Sequence, residues 1–491
     1  MIRDRVKFAK PGAAGVIRVL VAGCLLVVSL AACGHSAAPA PSRSAAAGPT
    51  SAADNFAQGS GPLGGDWTDI SGGGLTISSG VAAGGLTGQV TGDMWSASTF
   101  SGNQDSQVMV TSKQPSGAEW AGPAVRMQAG GQDAYVGIYY SNHGRPDLML
   151  FLRHGGGFRQ LGHSYASGRL APGTRLELIA TGNTIAFLEN GVLRIGVSDS
   201  TLAGGAPGIM SFGTAAVGHW SGGSASFQVS KGGTDARGIR SYGVISADNG
   251  DGPQTLRVLT PVSPAAGVAH NFLIVLPVEA GLGSTFGDGL ATMAALDAQD
   301  KYNLTILEPT FGIDPWYANN PANPHLQYET FLTQQLVPWM RQNLATTGHE
   351  QVWLIGFSKS GIGGQDLILK HPGVFSLAAS WDFPADMSSY DRFGGDSAAA
   401  YGTQANFRAN YQLTKAFVQA HRAPFLTADR LWIGGWGLYR TEDADYNALL
   451  TAAGIAHSTE TPRYMPHRWD SGWVRGALAA LYQDSLKLHQ S

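Results

Sequence analysis

The apolar run Val352-Trp353-Leu354-Ile355 passes directly into Gly356-Phe357-Ser358-Lys359-Ser360-Gly361, and Gly361 to Lys370 continues with helical spacing. Four consecutive apolar residues read as a strand covered on both faces, which calls for a largely parallel sheet flanked by helices. Between such a strand and its helix the chain must turn sharply, and the small residues around Ser358 allow it. A serine on that turn stands at the open end of the sheet and is a candidate nucleophile. Its hydroxyl is weakly nucleophilic alone and needs a neighbouring base. His467, in Pro466-His467-Arg468-Trp469 beyond the last predicted strand, is the candidate. His270, His349, His371 and His421 precede the serine or lack a matching context, and read as ordinary solvated histidines.

The rest of the chain is long enough to carry more than this unit. Its 491 residues suggest two or three domains, and 43% hydrophobic residues suffice for packed cores. The 67 glycines accompany 12 Trp and 19 Phe, a pairing that favours turn-rich β structure over disorder. A basic start (Arg3, Arg5, Lys7, Lys10, Arg18) precedes a short apolar stretch ending in Leu30-Ala31-Ala32-Cys33-Gly34, so residues 1–32 read as an export signal. Those five residues resemble a bacterial lipobox, which implies lipidation of Cys33 and anchoring on the outer face of the cytoplasmic membrane; a simple secretory signal is the alternative. Removing 1–32 takes away five basic residues and one acidic one and leaves a net charge of about −7 in place of −3, which argues against a nucleic-acid partner. Cys24 leaves with the signal, so no disulfide or thiolate metal site is expected in the mature domains. Residues 33–53, rich in Ala, Ser, Pro and Gly, read as a flexible tether.

From 54 to 228 short apolar runs alternate with Gly-rich turns. Arg175-Leu176-Glu177-Leu178-Ile179 has the period of a half-buried strand, and Asn190-Gly191 between Thr184–Glu189 and Val192-Leu193 predicts a type I′ hairpin. The expected fold is an all-β sandwich. The succession from Ala121-Gly122-Pro123-Ala124-Val125-Arg126 through Tyr135-Val136-Gly137-Ile138 to Glu189-Asn190-Gly191 resembles the concanavalin A-like (laminin G-like) jelly-roll modules. That resemblance implies possible glycan binding. Trp67, Trp95, Trp120 and Trp220 would either stack on sugars or fill the core.

After a polar junction at Ser230–Arg240, residues 241–488 alternate strands and helices. An antiparallel pair is expected at Tyr242–Ala247 and Gln254–Leu259, and one amphipathic helix over Gln327–Leu344. Glu308-Pro309, Trp316-Tyr317, Tyr328-Glu329-Thr330-Phe331-Leu332, Gly356-Phe357-Ser358 and the late His467-Arg468-Trp469 together resemble the Putative esterase family, which includes esterase D, feruloyl esterases and mycolyltransferases. The resemblance implies an α/β hydrolase domain acting on carboxylic esters without a cofactor, with no metal site expected. Ser360 departs from the usual pattern, standing where a second glycine is common. Most members place the acid just after the strand corresponding to Leu431–Gly435, but Trp436-Gly437-Leu438 holds no carboxylate. Asp382, ending the strand before Phe383-Pro384, is the preferred acid; Asp443, in the first turn of a helix capped by Thr441, is the alternative. The oxyanion would be held by the backbone N–H of Lys359, whose side chain is expected in solvent, and by a second donor near Val278-Glu279. Trp316-Tyr317 and Trp381 would line the pocket or pack beside it. A serine esterase acting on a carbohydrate-linked ester is the leading expectation. Acyl transfer to envelope glycans and a noncatalytic glycan-binding lipoprotein are its alternatives.

Overall fold

The computed structural model describes residues 51–488 apart from 86, 131, 143–144, 167, 436 and 461–463. Cys33, the signal segment and the tether up to residue 50 lie outside the described residues. The described chain forms one compact unit built on three sheets.

Two antiparallel sheets make the N-terminal sandwich. The expected hairpin joins Thr184–Glu189 to Val192–Ser198, and Asn190 (φ 51°) and Gly191 (φ 80°) both take the positive φ that its turn demands. Alternating side chains of the two sheets meet in one core, where Trp67, Trp95 and Trp220 pack with ring centres 4.6–5.2 Å apart. Trp220 is fully buried, and its indole N–H donates to Ser106 Oγ at 3.0 Å. The first sheet takes in Ser51–Asp54, which pairs with Ala216–Ser224, so strand structure starts inside the segment read as tether. Ladder pairing uses backbone groups alone, and these small residues carry no apolar signal to announce it.

The third sheet begins at Phe227–Val229, one strand earlier than the composition suggests. It continues through the antiparallel strands Arg240–Ser246 and Gln254–Leu259. From Leu304–Pro309 onward it is parallel, running through Asn271–Val275, Val352–Phe357, Leu377–Trp381, Leu431–Gly434 and Ser458–Glu460. Both faces are covered, as the apolar runs require. Val352 and Leu354 pack with the helix Ser358–Lys370 on one side, and Trp353 and Ile355 pack with the helices Gly289–Ala295 and Trp473–Leu488 on the other. The helix expected at 327–344 is continuous from Tyr328, with a wider turn over Phe331–Leu336 ahead of Pro338, whose missing N–H disturbs the regular ladder.

The junction is pinned to both neighbours. Lys231 N–H donates to Gly191 O (2.7 Å), Gly252 N–H to Thr184 Oγ1 (2.9 Å) and Gln228 Nε2 to Glu177 Oε1 (2.9 Å). Ile179, Ala186 and Leu188 of the sandwich bury Ile245 of the third sheet.

Candidate active site

Ser358 follows directly on the central strand Val352–Phe357 and opens the helix Ser358–Lys370 with φ 53°. A left-handed conformation costs an L-residue about 1–2 kcal/mol, so the turn must be held in place. Ser360 does this. Its hydroxyl donates to Phe357 O (2.8 Å) and accepts from Phe357 N–H (3.0 Å), closing the turn where a second glycine would only permit it. Gly356 is required, since a Cβ there would press on the Ser360 carbonyl at 2.6 Å.

The next parallel strand, Leu377–Trp381, delivers Asp382, fully buried and also left-handed (φ 47°). Its carbonyl accepts from Ser358 N–H (3.1 Å), which locks the two turns together. Its carboxylate faces His467: Oδ2 lies 2.5 Å from His467 Nδ1, while Oδ1 accepts from Tyr439 N–H at 2.6 Å. The imidazole sits among Phe357, Phe286 and Tyr439 at ring-centre distances of 4.9, 5.6 and 5.8 Å. Trp469 anchors the histidine loop. Its N–H donates to Phe286 O (2.9 Å), and its buried ring packs on Phe357 and Trp381.

Asp443 does not reach the histidine. Its Oδ1 accepts from Phe383 N–H at 3.1 Å and its Oδ2 has no partner among the described residues. Burial, with the Asp382 charge adding to it, raises its pKa to about 8, so it is largely protonated at neutral pH. The alternative acid is thus a buried neutral carboxyl beneath the Asp382 turn. Its helix, Arg440–Ala452, is preceded by Tyr439 rather than capped by Thr441.

Two further expectations are corrected, and one open alternative is resolved. The Lys359 side chain is not in solvent: its ammonium pairs with Asp314 and lies 5.8 Å from the Trp316 ring centre. The second Asp314 oxygen accepts from Ala280 N–H (2.9 Å), so one carboxylate ties the turn after Ser358 to the loop after Pro277, where the second oxyanion donor was expected. Tyr317 and Trp381 are core residues. Tyr317 donates its hydroxyl to Pro277 O (2.5 Å), and Trp381 stacks on Phe357 at 5.3 Å; Trp316 is buried too, against Phe393 at 5.2 Å and Tyr401 at 5.9 Å. His270 and His371 are not simply solvated. His270 Nε2 meets Thr305 Oγ1 at 2.9 Å, and His371 Nε2 meets Glu329 Oε1 at 2.6 Å.

Gly437 and Tyr439 are functional positions that residue type concealed. The loop after Leu431–Gly434 supplies no carboxylate. Instead Gly437 leaves the room that the Asp382 carboxylate occupies, and Tyr439 gives it a backbone donor. The missing acid in Trp436-Gly437-Leu438 was the available signal. A loop that lacks the acid yet passes the same end of the sheet is free to cradle an acid from the neighbouring strand.

A serine on a strand–helix turn, a late histidine and an acid from the adjoining strand, ordered along a parallel sheet covered on both faces, define an α/β hydrolase domain. Residues 297–438 match the model of the family described as Putative esterase, and with this fold the protein is a carboxylic ester hydrolase. No curated protein sequence matches the chain. Among solved structures, similarity extends to an S-formylglutathione hydrolase from Agrobacterium tumefaciens (13% identity, 53% of this chain and 98% of that one, TM-score 0.39). It also extends to a ferulic acid esterase (14%, 48% and 93%, 0.38) and to the carbohydrate-binding module CBM66 from Bacillus subtilis (17%, 31% and 91%, 0.28).

Proposed function

We propose that the protein is an exported serine esterase that cleaves acyl groups from carbohydrate through an acyl-enzyme, held at the membrane by lipid on Cys33. The observation that carries the catalytic reading is the contact of buried Asp382 with His467 Nδ1 beside the Ser358 turn. With Nδ1–H held by Asp382, His467 presents Nε2 as the base. Ser358 Oγ attacks the ester carbonyl as His467 takes its proton, and the oxyanion is received by the Lys359 N–H and a second donor at Val278-Glu279. Collapse expels the alcohol, which takes the proton from His467. Water then gives a proton to His467 and attacks the acyl carbonyl, releasing the acid and restoring Ser358.

The carbohydrate part of the reading is supported by the jelly-roll pattern of the sandwich and by its fixed attachment to the catalytic sheet through Ile245 and Gly252. Export and anchoring are supported by the basic start, the short apolar stretch and Leu30-Ala31-Ala32-Cys33. The test is p-nitrophenyl acetate hydrolysis with fluorophosphonate labelling read by mass spectrometry. Turnover and an adduct on Ser358, both lost in Ser358→Ala, are expected. An active Ser358→Ala, or an unlabelled and inactive wild type, would refute the catalytic reading.

A further inference from the structure

The seven-stranded sheet of the sandwich has a second apolar face that the shared core does not use. Along the strand Arg145–His154, Leu148, Leu150 and Leu152 enter that core, while Met149 and Phe151 belong to a separate cluster on the other side. Strand alternation puts Asp147 and Arg153 in the same row as Met149 and Phe151. This face is deeply concave. Arg153 Nη2 donates to Ser71 Oγ at 3.4 Å, although four strands lie between theirs in the sheet order and a flat sheet would hold them roughly 24 Å apart.

The concavity is a trough of about 450 Å³ walled by Trp120, Phe212, Phe158, Phe151, Tyr140 and Met149. Trp120 stacks on Phe212 (6.2 Å, 17°) and meets Phe158 edge-on (5.9 Å), and Phe158 meets Phe151 (6.0 Å). Among its lining side chains the polar groups are the Tyr140 hydroxyl and the Trp120 indole N–H. This wall offers a sugar ring few hydrogen-bond donors and an apolar chain extensive contact.

At one end of the row stands a guanidinium with spare capacity. Arg153 is only 6% exposed, its Cζ is 5.7 Å from the Phe158 ring centre, and its Nε and Nη1 have no hydrogen-bond partner among the described residues. Arg126, also buried in the sandwich, shows how such a group is normally satisfied: it donates from Nε, Nη1 and Nη2 to the carbonyls of Gly102, Leu202 and Gly182. Arg153 therefore holds unused donors beside an aromatic trough, the complement of a carboxyl oxygen. Asp147, whose Oδ1 lacks a hydrogen bond among the described residues and lies 3.8 Å from His163 Nε2, ends the same row and would repel an anion, which fixes the ligand's direction.

We propose that this trough is an acyl-binding site, taking an aliphatic or aromatic chain along Trp120 and Phe158 with its carboxyl function on Arg153. This deepens the esterase reading and takes its biological sense from it: the sandwich would grip the acyl groups of an acylated glycan rather than its sugar rings. Sodium octanoate is titrated calorimetrically into the full chain after fluorophosphonate treatment, beside octan-1-ol and glucuronate. Adduct formation on Ser358 reports on the esterase reading, and the titration reports on the trough, so the two fail separately. Octanoate is expected to bind, with affinity falling at least ~10-fold in Trp120→Ala. In Arg153→Gln the loss is expected for octanoate but not for octanol, a split that a general loss of folding would not produce. Absent octanoate binding, binding unchanged in both variants, or tighter binding of glucuronate would overturn the proposal.

Discussion

Among single residues, the two aspartates near His467 separate by environment. Asp382 is fully buried and receives both His467 Nδ1 and the Tyr439 N–H, whereas Asp443 lies out of reach of the imidazole and is kept protonated by burial. Asp382→Asn should lower kcat on the order of 10⁴-fold by presenting the wrong imidazole tautomer. Asp443→Asn should leave kcat within about 3-fold, because an amide oxygen still accepts from Phe383 N–H. Kinetics with p-nitrophenyl acetate check both, and a collapse in Asp443→Asn with Asp382→Asn active would exchange their roles. Gly437 provides a sharper test, since the side chain it lacks is what matters. A Cβ there would overlap the Asp382 carboxylate, and Gly437→Ala should push that group off His467. Displacement of this size is worth roughly 100-fold in kcat. Unchanged kcat in a folded Gly437→Ala protein would show that the carboxylate does not need its observed place.

At the scale of elements, the strand Val352–Phe357 and its serine turn were legible in sequence because burial on both faces writes an uninterrupted apolar run. The hairpin at Asn190-Gly191 was legible because few residue pairs adopt two positive φ angles. What escaped was whatever depends on backbone groups or on a distant partner. Ser51–Asp54 pairs through its backbone, Tyr439 serves Asp382 through its N–H, and the Lys359–Asp314 pair joins residues 45 apart. The tryptophans illustrate the same limit. Sequence left all four open between core and ligand, and contacts divide them, with Trp67, Trp95 and Trp220 in the core and Trp120 in the concave trough. Trp220→Ala should therefore cost about 3–5 kcal/mol through the cavity it leaves, and Trp120→Ala much less, as urea unfolding would measure. Equal losses in the two variants would contradict this division.

Across the whole molecule, buried carboxyls set how stability depends on pH. Burial raises Glu308 to about 7, against the pull of Arg257, and Asp366 to about 7, against that of Lys370; Asp443 stands at about 8. In the unfolded chain these groups ionise near 4. Between that value and the folded one, the native protein holds protons that the unfolded chain has released, so stability falls as pH rises, by at most about 1.4 kcal/mol per pH unit for each group. Glu329 acts in the opposite sense. Burial pushes it up, but His371, Lys370 and Tyr411 together bring it down to about 2, so its contribution is complete above its ordinary value and is lost as pH falls toward 2. The two trends should place the melting temperature's maximum near pH 4, with a decline toward pH 8. Asp443→Asn removes one of the three downward slopes. Its melting temperature relative to wild type should rise steadily from pH 4 to 8 and hold constant above that. A difference that does not change with pH would mean that Asp443 ionises as an ordinary solvated carboxyl. The Asp382 turn would then rest on a second charge rather than on a neutral hydrogen-bonding group.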